Sequence, residues 1–155
     1  MADPKWKVGE QVPSFSAESD DDGTISSADL MGSKYIIYFY PKDMTPGCTT
    51  QACDFNTNLK AFEAKGYRIL GVSPDSVTTH AKFRTKHELG FTLLADPDHA
   101  LAEAFGVWRE KQNYGKTYIG LVRSTFFVGA DGKFEAVYDN VKAKGHVDRL
   151  IREMA

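Results

Sequence analysis

Six consecutive apolar residues, Tyr35-Ile36-Ile37-Tyr38-Phe39-Tyr40, constrain this chain more than any other stretch. Successive side chains of a strand point to opposite faces, so such a run needs apolar cover on both sides. An inner strand of a sheet with helices packed over both faces meets that demand. Pro41 stops the run, and after Pro46-Gly47 the apolar period changes. Cys48, Ala52, Phe55, Leu59 and Phe62 fall four, three, four and three apart, the spacing of one stripe on a helix. Gly66 supplies a stop for that helix.

The remaining segments extend the alternation. Residues 67–72 read as the next strand, and Ser73-Pro74-Asp75-Ser76 opens a helix running towards Glu88. A short strand at Thr92–Ala95 follows, then a helix over about residues 98–105. Residues 106–118 are polar, carry Trp108 and Tyr114, and read as an ordered loop. Strands over residues 119–128 and 133–138 meet at Asp131-Gly132 as a hairpin, and a helix over about residues 144–154 closes the chain. Near the start, residues 15–25 form a small hairpin, with Asp22-Gly23 suited to a type I′ turn. The order predicts an α/β fold of thioredoxin-like type. It has a central mixed β-sheet flanked by helices, an N-terminal β-hairpin, and one domain over residues 1–155.

Charge and hydropathy remove several classes of function. A net charge of -2 gives no electrostatic case for nucleic acid or an anionic membrane. No apolar stretch approaches the roughly 20 residues that span a bilayer. The opening residues have no apolar core of the signal-peptide kind, so the expected address is cytoplasmic. In a reducing compartment the chain's two cysteines read as redox or metal chemistry rather than a structural staple.

Those cysteines, Cys48 and Cys53, stand five residues apart. Cys48 falls at the start of the helix that follows the buried strand. Free backbone N–H groups and the positive end of the dipole favour a thiolate there. Five helical residues span a rotation of roughly 140° and a rise of roughly 7.5 Å, which puts the two Cα atoms roughly 8.6 Å apart. A disulfide tolerates at most about 7 Å, so an intact helix forbids the bond and closure requires unwinding. Cys48 lies on the apolar stripe, whereas Cys53 falls with Asn56 and Lys60 on a polar flank. Pro46 and Gly47 make local unwinding cheap.

Each neighbouring residue carries two readings. Thr45 is either a helix cap or a hydroxyl aimed at the thiolate or a substrate oxygen. Pro41 is either a strand terminator or a wall between the thiol and water. Cys48 itself reads as an inert buried thiol or as a nucleophile, and Cys53 as an incidental thiol or its partner. Arg123 opens the apolar run Ser124-Thr125-Phe126-Phe127-Val128, where a charge needs an anion or solvent. A carboxylate would satisfy it, and so would the thiolate of Cys48, which a nearby guanidinium favours. The four histidines, His80, His87, His99 and His146, match no zinc spacing with the cysteines and read as surface or packing residues.

Pro41, Thr45 and Cys48 reproduce the Pro-x-x-x-Thr-x-x-Cys pattern of the peroxiredoxins, and Arg123 matches that family's distal arginine. Thr-Pro-Gly-Cys-Thr, the second cysteine five residues on, and Gly106-Val107-Trp108-Arg109-Glu110-Lys111 resemble the bacterioferritin comigratory protein and peroxiredoxin Q subgroup. The resemblance runs from about Gly9 to the end of the chain. It implies a thioredoxin fold and thiol-dependent reduction of hydrogen peroxide and alkyl hydroperoxides. Cys48 would attack the peroxide and become a sulfenic acid. Thr45, Arg123 and backbone N–H groups near Gly47 would hold the peroxide oxygens, and Pro41 would shield the sulfur. Cys53 would resolve the sulfenic acid as an intrachain disulfide, which thioredoxin or a glutaredoxin-like donor would reduce. The resemblance implies no metal, flavin or haem, and a monomer, with a dimer also compatible. Two rivals stand beside it, a disulfide reductase or isomerase on the same fold and a holdase with incidental cysteines. The first favours Cys-x-x-Cys spacing, which this chain lacks.

Overall fold

The apolar run folds as strand β3 (Lys34–Phe39), hydrogen-bonded on both edges. Its neighbours are parallel β4 (Tyr67–Ser73) and antiparallel β8 (Ser124–Val128). The computed structural model describes residues 4–154. Beyond β4 the sheet adds parallel β5 (Thr92–Ala95), then antiparallel β1 (Ser16–Ser19) and β2 (Thr24–Ser26). Beyond β8 lies β9 (Phe134–Tyr138), giving a mixed seven-stranded order of β2-β1-β5-β4-β3-β8-β9.

Strand period two divides the core between the faces of this sheet. Tyr35, Ile37 and Phe39 join Leu70, Val72, Phe126 and Phe105 on one side. Ile36, Tyr38 and Tyr40 join Cys48, Phe55, Phe62, Phe83, Val147 and Leu150 on the other. The second side is covered by α2 (Pro46–Thr57), α3 (Leu59–Ala64), α4 (Val77–His87) and α6 (His146–Met154). The first takes α1 (Ser27–Leu30) and α5 (Ala100–Ala104). Each fully buried phenylalanine of these clusters contributes about 2 kcal/mol by leaving water. The expected thioredoxin-like α/β arrangement, with its mixed sheet and N-terminal hairpin, is the one observed.

Four local readings need correction. The helix from Cys48 is interrupted. At Asn58 both the backbone N–H and the side-chain amide donate to the Asp54 carbonyl, which ends α2 before α3 begins. The segment read as a loop, residues 106–118, instead supplies β6 (Trp108–Asn113), which pairs with β7 (Lys116–Leu121) in a ribbon outside the main sheet. Tyr114 and Gly115, with φ of 52° and 76°, turn that ribbon. The strand expected over residues 119–128 is therefore two strands, broken at Val122-Arg123. At the first hairpin only Gly23 has positive φ and Asp22 does not, so the turn is not type I′. The sequence reading also passed over α1, which is closed by a capping box between Ser26 and Asp29.

Candidate active site

Three elements converge where β3 ends: the loop after Tyr40, the first turn of α2, and the β7–β8 break that carries Arg123. Cys48 enters the core on the α2 stripe and is 2% exposed, together with Ala52 and Phe55. A sulfur at such depth needs a partner if it is to carry charge. Arg123 supplies one, its Nη2 donating to Cys48 Sγ at 3.2 Å. The other end of the guanidinium donates to the side-chain oxygen of fully buried Gln51. The structure therefore pairs Arg123 with sulfur and a neutral amide rather than with a carboxylate. Its backbone is pinned as well, since the Arg123 carbonyl accepts from Val141 N–H at 2.8 Å.

Gln51 did not emerge from the sequence reading, although it lies three residues after Cys48 and so on the same helix face. Because its amide is neutral, it orients the guanidinium without cancelling the positive charge beside the sulfur. Its Nε2 has no hydrogen-bond partner among the described residues. Gly47 lies close to the guanidinium. A Cβ there would make ordinary contacts, 3.5 Å from Arg123 Nη2 and 3.6 Å from the Ala143 side chain.

Thr45 occupies the N-cap position of α2 with extended backbone, yet makes no side-chain cap bond. Its hydroxyl donates to the Lys42 carbonyl at 2.9 Å, so the ordinary cap reading does not hold. With the proton committed, the lone pairs of Oγ1 remain for an incoming O–H donor. The N–H groups of Gly47 and Cys48 belong to the first turn of α2, where a helix offers them no internal acceptor. Pro41 is half-buried at the end of β3, on the same loop as Thr45.

Cys53 is half-exposed on α2, five residues from Cys48 within one continuous helix, and both cysteines are free thiols. Partial burial and the carboxylate of Asp54 push the Cys53 thiol above its ordinary range. In the folded helix it is therefore a protonated, poorly nucleophilic sulfur.

Beneath the Pro41–Thr45 loop lies a polar cluster that sequence spacing did not reveal. Asp43, Asp75 and His80 bring ligand-type atoms within 4.8 Å of one another. These atoms already serve one another and their neighbours. Asp43 accepts from Tyr40 and meets His80, while Asp75 accepts from Ser73 Oγ and Asp43 N–H. The trio reads as a hydrogen-bond network. The other histidines pack: His99 stacks on Trp108, His87 lies edge-on to Phe83, and His146 meets Thr125 Oγ1 at 2.9 Å. Burial lowers His146 to about 4, so its ring is neutral at neutral pH.

The sequence profile of the AhpC/TSA family matches residues 8–137. Peroxiredoxin Bcp of Bacillus subtilis is 44% identical over 148 residues, covering 96% of this chain and 94% of that protein. Peroxiredoxin Bcp of Escherichia coli is 44% identical over 145 residues, covering 94% and 93% respectively. Among solved structures, the bacterioferritin comigratory protein of Xanthomonas campestris superposes with a TM-score of 0.84 at 39% identity. That match spans 90% of this chain and 89% of the other, and the structure was determined in connection with that protein's alkyl peroxide reduction activity. A peroxiredoxin Q from Xylella fastidiosa gives a TM-score of 0.87 at 32% identity, covering 96% and 94%.

Proposed function

This chain belongs to the AhpC/TSA family, within its Bcp and peroxiredoxin Q branch, and as a thiol peroxidase of that branch we propose that it works through Cys48 and Cys53. The observation that carries this assignment is the Arg123 guanidinium set 3.2 Å from the buried sulfur of Cys48. The Cys48 thiolate attacks the terminal oxygen of a hydroperoxide, giving two electrons to the O–O bond. An S–O bond forms as the O–O bond breaks, and the hydroxyl passes to sulfur as a sulfenic acid. The remaining oxygen leaves as alkoxide or hydroxide and takes a proton from water.

Charge migrates from sulfur to the leaving oxygen during that step, so fixed donors near both positions lower the barrier. Arg123 serves the sulfur and the departing oxygen, and the N–H groups of Gly47 and Cys48 in the first turn of α2 offer further donors for the oxygen charge. Thr45 accepts the peroxide O–H, and Pro41 keeps bulk water from the sulfur. The expected result for Arg123→Ala is a loss of roughly 10²–10³ in the second-order rate with hydrogen peroxide. Stopped-flow consumption by the dithiol protein measures it, and an unchanged rate would remove Arg123 from the site.

Resolution follows when α2 unwinds. Cys53 thiol then attacks the sulfenic sulfur, forming the intrachain disulfide and releasing water. Burial, with the Asp54 carboxylate beside it, holds the Cys53 thiol above its ordinary range and quiet in the intact helix, and unwinding lifts that burial. An external dithiol returns two electrons and two protons, and we assign that role to thioredoxin or a glutaredoxin-like protein. With both cysteines on one chain, a monomer completes the cycle. A reducing compartment such as the cytoplasm suits an enzyme that starts each turn with two free thiols. No described helix is long and apolar enough to cross a membrane.

A further inference from the structure

The Asp43 network sits at the boundary between chain that must stay and chain that must move. Tyr40, the last residue bonded to β4, donates its hydroxyl to Asp43 Oδ1 at 2.6 Å. Asp43 Oδ2 meets His80 Nδ1 of α4 at 2.6 Å, and His80 Nε2 meets the Leu94 carbonyl of β5 at 2.8 Å. A carbonyl only accepts, so Nε2 carries a hydrogen and the ring is held at both ends. The Asp43 N–H donates to Asp75 Oδ2 at 2.7 Å, and Ser73 Oγ holds the same oxygen at 2.6 Å. Residue 43 is thereby tied to β3, β4, β5 and α4, with its side chain and that of His80 fully buried.

The next residue breaks this pattern. Met44 has φ of 68°, a conformation that side chains with a Cβ rarely adopt, and it is 41% exposed. After it come Pro46, exposed, and Gly47 and Thr49, only partly buried. A residue held in a sparsely populated conformation persists only where its surroundings over-determine it. The Asp43 ties supply that constraint on one side, and the first turn of α2 supplies it on the other.

We propose that the Tyr40–Asp43–His80 network is the fixed pivot of the catalytic cycle. It holds Pro41 to Asp43 in place through both redox states while the chain from Met44 onward unwinds to bring Cys48 to Cys53. The proposal rests on the peroxidase cycle above, in which Cys48 sulfenic acid and Cys53 thiol give a disulfide and one water. His80 and Asp43 act as positioning residues and do not touch the peroxide.

Amide hydrogen exchange on the reduced and peroxide-oxidised full-length protein tests the pivot, with mass spectrometry confirming the disulfide in the same sample. The Asp43 amide should exchange within about threefold of its reduced rate, while the amides from Thr49 to Ala52 speed up by about 100-fold or more. A disulfide form in which the Asp43 amide opens together with Thr49 overturns the pivot alone. Oxidation without a Cys48–Cys53 bond overturns the cycle and the pivot together. His80→Gln adds a kinetic signature: the peroxide step slows by about tenfold as Thr45 loses its placement, while disulfide closure accelerates several-fold. Tyr40→Phe removes a single oxygen and predicts the same opposed changes, which keeps the test open if His80→Gln does not fold. Tyr67→Phe, which removes a hydroxyl bonded to Glu135 far along the sheet, is the stability control. If the pivot variants slow both steps together, or change neither relative to this control, the proposal fails.

Discussion

Cys48→Ser protein should consume hydrogen peroxide and alkyl hydroperoxides no faster than buffer does. The serine hydroxyl is isosteric enough to keep the α2 stripe packed, because the change swaps one buried atom among Tyr38, Ala52 and Phe55. What disappears is the nucleophile. A thiol gives up its proton far more readily than a hydroxyl does, and oxygen cannot accept a second oxygen atom as sulfur does. Arg123, the free N–H groups and Thr45 all remain, so residual preorganisation acts on a reaction that no longer has an electron donor. Turnover measured with a coupled reductant should fall by at least about 10³-fold, down to the uncatalysed background. Circular dichroism and thermal melting should match the parent closely. Retained activity in that protein would move the chemistry to Cys53 or away from sulfur altogether.

Cys53→Ser separates the two halves of the cycle. In the proposed cycle the peroxide step depends on Cys48, Arg123, Thr45 and the first turn of α2, while the Cys53 side chain lies half-exposed further along the helix. The first equivalent of peroxide should therefore be consumed at a rate within about twofold of the parent. Cycling then stops, because no thiol on the chain can attack the sulfenic acid. The product should accumulate as a species alkylated by dimedone, and excess peroxide should carry it to the sulfinic acid. Thioredoxin-coupled turnover drops by roughly 10²-fold or more, and a small thiol supplied in trans restores part of it. Normal turnover with thioredoxin would deny Cys53 the resolving role.

The parts of this protein that burial controls were legible in its sequence. The six-residue apolar run became β3, and the stripe from Cys48 to Phe62 faces the core, because both patterns describe where a side chain must point. The β6–β7 ribbon was not legible. Its side chains are largely polar and exposed, its pairing is backbone hydrogen bonding, and its turn is set by Tyr114-Gly115 rather than Asn-Gly. The helix break at Asn58 was hidden for a related reason. The Asn58 side-chain amide bonds back to the Asp54 carbonyl beside its own N–H, a local device that spacing rules do not register.

The site divides in the same way. Cys48 and Cys53 stood out by residue type and local context, whereas Thr45, Pro41 and Arg123 were singled out by the family resemblance, and the fold brings Arg123 to Cys48 across 75 residues of chain. Gln51 was visible in principle, one helical turn from Cys48, but a glutamine on an apolar face carries no distinctive signal. Asp43 and His80 are 37 residues apart and meet only because β3 and β4 run parallel, placing the loop after one beside the helix after the other. Topology supplies that contact, so no local window could have shown it.

The proposed cycle requires these two sulfurs to form the redox couple. Digestion and mass spectrometry of the protein after one equivalent of peroxide test it most directly. The predicted product is a peptide carrying both Cys48 and Cys53 that has lost two hydrogen atoms and regains them with a dithiol reductant. Recovery of two unmodified thiols, or of oxygen fixed on Cys53 while Cys48 stays reduced, would contradict it.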